Sequence, residues 1–132
     1  MRTITLQTER RTQLIDITTR VREALAGAPG AAALVYVPHT SAAVTINEKI
    51  DPVLIEDLER MLGSVVDDAW EWNHDDKDGP NAPSHARATV VGPQVLIPLE
   101  ESGELALGTY QGIFFCEFDG PRERKIHVTV LQ

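Results

Sequence analysis

Polar and apolar residues alternate at the start of the chain, with Ile4 and Leu6 on one parity between threonines, which is the period-two pattern of a half-buried strand. A second apolar group, Leu14 to Ile17, follows the charged Glu9-Arg10-Arg11 break, and the two predict short strands joined by a hairpin. Thr18 or Thr19 then offers an N-cap for a short helix carrying Val21, Ala24, Leu25 and Ala28 on one face, stopped by Pro29-Gly30. Ala31 to Val37 is a compact apolar run ending at Pro38. Beyond it Val44, Ile46 and Glu48 share one side of an extended stretch, and both runs read as strands with His39 to Ala43 between them.

Asp51-Pro52 is a strong helix start, because Asp accepts from orphan amides and proline's fixed φ and missing N–H suit a first turn. Leu54, Leu58, Met61, Leu62, Val65 and Ala69 then recur at helical spacing, which predicts one long amphipathic helix covering a sheet. From Glu71 to Ser84 the chain is too polar and too broken by Gly and Pro for regular structure, and long loops of this kind in compact domains tend to be functional or disordered. His85 to Val91 fits a short helix or a strand. Val95 to Leu99, Glu104 to Gly108, Gln111 to Phe118 and Ile126 to Leu131 read as extended segments separated by turn residues, the last two by Asp119-Gly120-Pro121. The fold class expected is α+β: a compact mixed, mainly antiparallel β-sandwich with one long and one or two short helices against it. Residues 1–132 are expected to form a single domain, which suits their number.

Charge narrows the partners. A net charge of −8 at pH 7 repels phosphate backbones, so nucleic acid is not an expected partner. The lone cysteine, Cys116, has no internal disulfide partner, no apolar run reaches membrane-spanning length, and the N-terminus lacks the apolar region of a signal peptide. A soluble cytoplasmic protein without a membrane partner is expected.

Three of the four histidines, His39, His74 and His85, lie beside turns rather than inside elements. Neutral imidazole is the commonest protein ligand for zinc and similar ions, and three protein ligands with an open fourth position is the pattern of a catalytic site. Their spacings match no compact metal motif, so separate surface or capping roles stand beside the metal reading. His127 has the opposite parity from Ile126, Val128 and Val130 and is left out. Glu48, at the rim of an apolar face, could act as an acid or base or be an ordinary surface carboxylate. Glu117, one acid in an otherwise apolar run and on the face of Ile113 and Phe115, needs a partner, and Arg122 or Arg124 could reach back to it. Gln111 shares that face but lies six residues away, roughly 20 Å along a strand, so one small site in one subunit can hardly use both. Trp70 and Trp72 flank the loop, where packing the end of the long helix is a more ordinary role for them than stacking on a planar ring.

Three ordered stretches resemble the secondary thiamine-phosphate synthase, or YjbQ, family: Pro38-His39-Thr40-Ser41-Ala42-Ala43-Val44-Thr45-Ile46-Asn47-Glu48, the loop with His74, Asn81 and His85, and Gly108-Thr109-Tyr110-Gln111-Gly112-Ile113 continuing through Glu117-Phe118-Asp119-Gly120-Pro121-Arg122. Leu14 to Thr18 and the Asp51-Pro52 helix fall in the family's order, so the resemblance spans nearly the whole chain. Ser41 and Tyr110 stand where the family often has Thr and Trp, and Ser84-His85-Ala86-Arg87 where Ala-His-Leu-Lys is usual. Arg87 for Lys matters if the cation grips phosphate as a point charge rather than a fork.

The resemblance implies a homotrimer with sites near subunit boundaries and a divalent metal ion, zinc or magnesium, at His39, His74 and His85. It also implies Glu48, Gln111 and Arg87 as catalytic residues, with Glu117 and Arg122 as structural support. The implied reaction condenses a hydroxymethylpyrimidine diphosphate with a thiazole phosphate, releasing pyrophosphate, so the expected partners are phosphorylated small molecules. Asp75, Asp76 and Asp78 beside the histidines would repel such substrates unless a cation offsets them, and thiamine-phosphate synthesis is therefore expected as a side activity. The alternative class is a non-enzymatic metal- or small-ligand-binding homotrimer.

Overall fold

A computed structural model describes residues 1–74 and 80–132, so Asp75, Asp76 and Asp78 fall outside the described residues. Two antiparallel sheets face each other. Strands β1 (Arg2–Gln7), β7 (Glu123–Leu131), β3 (Ala32–Tyr36) and β5 (Gln94–Pro98) form the first in that order, and β2 (Gln13–Asp16), β6 (Gln111–Glu117) and β4 (Ala42–Glu48) form the second. The helices are α1 (Thr18–Leu25), α2 (Pro52–Ser64) and α3 (Ala82–Val91). This is the expected α+β sandwich.

Strand β6 explains the layering. Ile113 and Phe115 point into the sandwich with Leu6, Val35, Val44, Ile97 and Ile126, while Phe114 and Cys116 point the other way, onto Leu62 of α2 and Ala88 of α3. A strand covered on both faces loses its polar alternation, which is why Ile113 to Phe118 reads as a nearly continuous apolar run. Burial on the helix side pushes the Cys116 thiol up to about 12, leaving it protonated and inert.

Several sequence-based boundaries move, each for a physical reason. β1 and β2 are not a hairpin: β1 pairs with β7 and β2 with β6, and the Glu9-Arg10-Arg11 segment carries the chain from one sheet to the other. Thr8 is pulled inward at that crossing, where its hydroxyl donates to Glu117 Oε1 at 2.7 Å. β6 and β7 likewise lie in different sheets. Gly120 in the turn between them has no room for a side chain, because a Cβ there would strike the Arg10 carbonyl and come within 2.8 Å of Thr8 Oγ1.

At α1 the capping position is Ile17, with no side-chain cap from Thr18 or Thr19. Asp16 takes over, accepting from the Thr18 amide at 2.9 Å and from its hydroxyl, while Thr18 Oγ1 accepts the buried Ile113 amide. The helix ends at Leu25, before Pro29, with Ala26 in the left-handed region. At α2 the Asp51 carboxylate accepts from the Val53 amide at 2.9 Å, as Asp51-Pro52 predicts. That helix stops at Ser64 rather than running to Ala69. The face it presents to the core is Ile55, Leu58 and Leu62, leaving Met61 and Val65 exposed. α3 starts at Ala82, so the polar loop is shorter than its composition implies, and Pro83 sits harmlessly in the first turn. Glu104 to Gly108 makes only an isolated bridge, Leu105 to Leu99, instead of a strand. Among the described residues no helix is long and apolar enough to cross a membrane.

Candidate functional site

One end of the second sheet gathers the polar residues that sequence reading scattered. Glu117 closes β6 there and is fully buried, with Arg124 of β7 against it at 2.8 Å from Nε to Oε1, and Arg124 Nη2 also bonding Glu117 Oε2. The remaining acceptor capacity is filled by the Thr8 hydroxyl and the Asp119 amide, while Arg124 also donates to the Ser41 carbonyl and hydroxyl. Burial alone would raise the Glu117 pKa. The donors outweigh it, Arg124 first, then the Asp119 amide and the Thr8 hydroxyl, and hold the carboxyl below its ordinary value. Of the two arginines the sequence offered, Arg124 is thus the partner. Arg122 instead donates to the carbonyl and carboxylate of Asp119, at 2.8 and 2.9 Å.

This buried pair anchors the β6–β7 turn, and the turn anchors the histidine region. Ser84 in α3 donates its hydroxyl to the Phe118 carbonyl, and Asn81 Nδ2 donates to Asp119 Oδ2 at 3.1 Å. That bond orients the Asn81 amide, so its Oδ1, 3.0 Å from His74 Nε2, is an acceptor and His74 carries its proton on Nε2. Nδ1 of His74 therefore keeps its lone pair, with no donor to it among the described residues. His85 shows the reverse arrangement: Nδ1 lies 2.8 Å from the Thr40 carbonyl, which can only accept, so the lone pair is on Nε2. The two rings sit edge to face with centroids 5.2 Å apart. Each imidazole is thus held by an acceptor that sets its tautomer, as imidazoles that ligate metal ions usually are.

His39 differs. Its Nε2 accepts the Lys125 amide at 2.9 Å, so that lone pair is committed and the proton resides on Nδ1. Burial lowers its pKa, with the positive charge of Arg124 next in weight. Two of the three predicted imidazoles therefore sit ring against ring, each with a lone pair that no described residue engages, and the third has its lone pair committed. Among the described residues no group of three His, Cys, Asp or Glu side chains is arranged to hold an ion. Two imidazole donors with oriented outer partners suit a borderline-soft cation such as zinc better than magnesium, which prefers oxygen.

Arg87 lies two residues beyond His85, almost fully buried. Its Nη2 donates to the carbonyls of Gly63 and Val66 and to Asp68 Oδ1, which ties α3 to the end of α2, and its Nε finds no partner among the described residues. The chain leaving that tie runs through Trp70 and Trp72 to His74. The two indoles tilt against each other at 5.6 Å, and Trp70 is 59% exposed rather than packed under the long helix.

Glu48 and Gln111 occupy the opposite end of the sheet. They are direct cross-strand partners, and Gln111 Oε1 accepts the Gly108 amide at 2.8 Å. From Ala42, opposite Glu117, to Glu48 is six strand steps, roughly 20 Å, so within one chain they do not meet the histidines. The residues that sequence reading undervalued are Asn81, Asp119 and the Thr40 carbonyl. Asn81 looked like loop and Asp119 like turn, and a main-chain acceptor leaves no trace in residue type.

The architecture is that of a two-sheet α+β protein with an imidazole pair at one end of the sandwich. A family model described as UPF0047 protein YjbQ-like matches residues 2–132, and the chain belongs to the YjbQ/UPF0047 family. It is 39% identical to the UPF0047 protein YugU of Bacillus subtilis, over 99% of this chain and 98% of that protein. It is 43% identical to a UPF0047 protein of Archaeoglobus fulgidus, over 97% and 98%. The crystal structure of an uncharacterized conserved protein of the same family from Clostridium acetobutylicum superposes with a TM-score of 0.90 at 38% identity, covering 99% of this chain and 100% of that one.

Proposed function

We propose that the chain is a thiamine-phosphate synthase-like transferase whose reaction centre is the His74–His85 pair, with this condensation a side activity of a site built for a related diphosphate. The observation that carries the reading is the pairing of two imidazoles whose nitrogens Nδ1 of His74 and Nε2 of His85 have no partner among the described residues, each ring being held by a fixed acceptor on its other side. In the reaction the thiazole nitrogen's electron pair forms a bond to the methylene carbon of the pyrimidine as the carbon–oxygen bond to diphosphate breaks, and pyrophosphate departs with that pair. A divalent cation held by His74 and His85 would supply positive charge to the departing diphosphate. That charge matters in a protein of net charge −8, which repels both substrates at long range.

The chain's own residues do the positioning. Asn81 and the Thr40 carbonyl fix the two rings, Asp119 fixes Asn81, and Arg87 locks the segment leading to His74 onto the helix that carries His85. Glu48 and Gln111 take part only when a neighbouring copy presents them, which is the role of a homotrimer in this reading.

The test is thiamine phosphate formation from the two precursors by zinc-replete protein. His85→Ala and His74→Ala are expected to lose about 100-fold in rate while remaining folded, as for lost ligands or their outer partners. Glu48→Gln subunits mixed with His85→Ala subunits are expected to recover part of the activity. Absence of product from the unaltered protein, or variants indistinguishable from it, sinks the proposal, and failure of the mixture to recover removes the shared site.

A further inference from the structure

Helix α2 carries more apolar surface than the core uses. Leu54, Leu58, Met61 and Val65 recur at i, i+4, i+7 and i+11, the spacing of a seam along one side of a helix, yet of the four only Leu58 packs against the cluster of Phe114, Cys116 and Leu62. Leu54 joins neither core cluster, and Met61 and Val65 are 49% and 46% exposed. Exposed apolar residues are ordinary when scattered singly. Three at seam spacing, beside the face that already docks on a sheet, make a continuous strip instead. The end of the strip is held in place, because the buried Arg87 donates to the carbonyls of Gly63 and Val66. Beyond it the exposed indole of Trp70 tilts against Trp72, whose Nε1 donates to the Asp67 carbonyl.

Charge decides what can cover this strip. Residues 51–72 hold seven acids and one arginine, a local net charge of −6 in a chain of net charge −8. The one arginine, Arg60, is taken by Asp57, while Glu59 and Asp68 are reached by Arg10 and Arg87 from elsewhere in the fold. Glu56, Asp67 and Glu71 have no ion-pair partner among the described residues. A second copy laid on the same face would bring two such acidic segments together, and an anionic membrane or nucleic acid meets the same repulsion. A cationic partner does not. We propose that this flank of α2 is a docking surface for a basic amphipathic helix of another protein. The partner's apolar stripe lies along Leu54, Met61 and Val65, and its Lys or Arg side chains meet the acids and the face of the Trp70 indole. Such docking is independent of the reaction assigned to His74 and His85.

The probe is a synthetic helix of Leu and Lys, with leucines at the same i, i+4, i+7 and i+11 spacing, titrated into the full-length ¹⁵N-labelled chain. The shifted amides should map to Leu54, Met61, Val65 and Trp70. Affinity should fall as salt is raised, because exposed charges are screened, and the same peptide with Glu in place of every Lys should not bind. Met61→Glu and Val65→Glu, at exposed positions that leave the core intact, should each weaken binding about tenfold, and Glu71→Lys about threefold. Leu96→Glu, at an exposed position of β5, should change nothing. Shifts that map away from α2, equal binding of the Glu peptide, or Met61→Glu and Val65→Glu chains that bind as tightly as the unaltered one overturn the proposal. So does an unaltered chain that sediments as a larger oligomer than Met61→Glu, since a second copy then covers the face.

Discussion

The two ends of the β2-β6-β4 sheet carry acids of similar sequence appearance and opposite physical character. Glu117 and Glu48 both sit at strand termini on the face shared with core residues. Glu117 is fully buried and filled with donors from three residues, Thr8, Asp119 and Arg124, whereas Glu48 is only partly covered and faces Gln111 across the strands. A carboxylate in a fully desolvated site cannot be left unpaired, so Glu117 dictates the geometry around it. One at a wet rim dictates nothing and stays free for chemistry or for a neighbour. The histidines stand on the rigid end, since the β6–β7 turn that Glu117 pins is the turn that holds Asn81 and, through it, His74.

The largest expected contrast is in stability. Removing one partner of a buried ion pair leaves the other uncompensated, so Glu117→Ala should cost about 3–5 kcal/mol, whereas Glu48→Ala should stay within about 0.5 kcal/mol. Urea unfolding at pH 7 measures both, and equal losses would erase the distinction between the two ends.

A smaller effect sharpens the same contrast through pH. The native pKa of His39 lies below its ordinary 6.5, from burial first and the Arg124 charge second. Below that value the unfolded chain takes up a proton that the folded chain refuses, so stability should fall as pH drops from about 6.5 toward the native pKa. Glu117, depressed below its ordinary 4.5, adds a second loss that begins near that value and continues as pH falls through its native pKa. Unfolding free energy measured from pH 8 to pH 3 should therefore decline in two stages, with the first missing in His39→Gln. A first stage that persists in that variant would place the titrating group elsewhere.

The smallest effect belongs to the open end. Asp51 caps α2 three residues beyond Glu48, and Asp51→Ala should cost about 1 kcal/mol, more than Glu48→Ala next to it. Thermal unfolding of the two variants gives the order, and a reversed order would make Glu48 a structural residue.

Much of this was legible in the chain as written, because it depends on near neighbours. Alternation marked β1 and β4, short apolar runs between turn residues marked the other strands, Asp51-Pro52 marked the start of α2, and an acid inside Ile113 to Phe118 announced a buried pair before its partner was known. The candidate histidines were legible as residue types beside turns. Their roles were not: the difference between His39 and the other two lies in which ring nitrogen is already bonded, and the bonding partners are the Lys125 amide, the Thr40 carbonyl and the Asn81 side chain. Two of those are main-chain groups that every residue possesses, so nothing in a string of side chains distinguishes them.

By itself, then, the sequence determined the elements and the need for a countercharge at Glu117, since hydrophobic spacing and the cost of burying a charge act over a few residues or none. Tertiary structure alone decided that β1 and β2 join different sheets, that Arg124 rather than Arg122 answers Glu117, and that Glu48 and Gln111 lie a sheet's length from the histidines. Those outcomes come from competition among contacts between residues far apart in sequence, where each strand takes the partner that buries most and each donor the nearest unpaired acceptor.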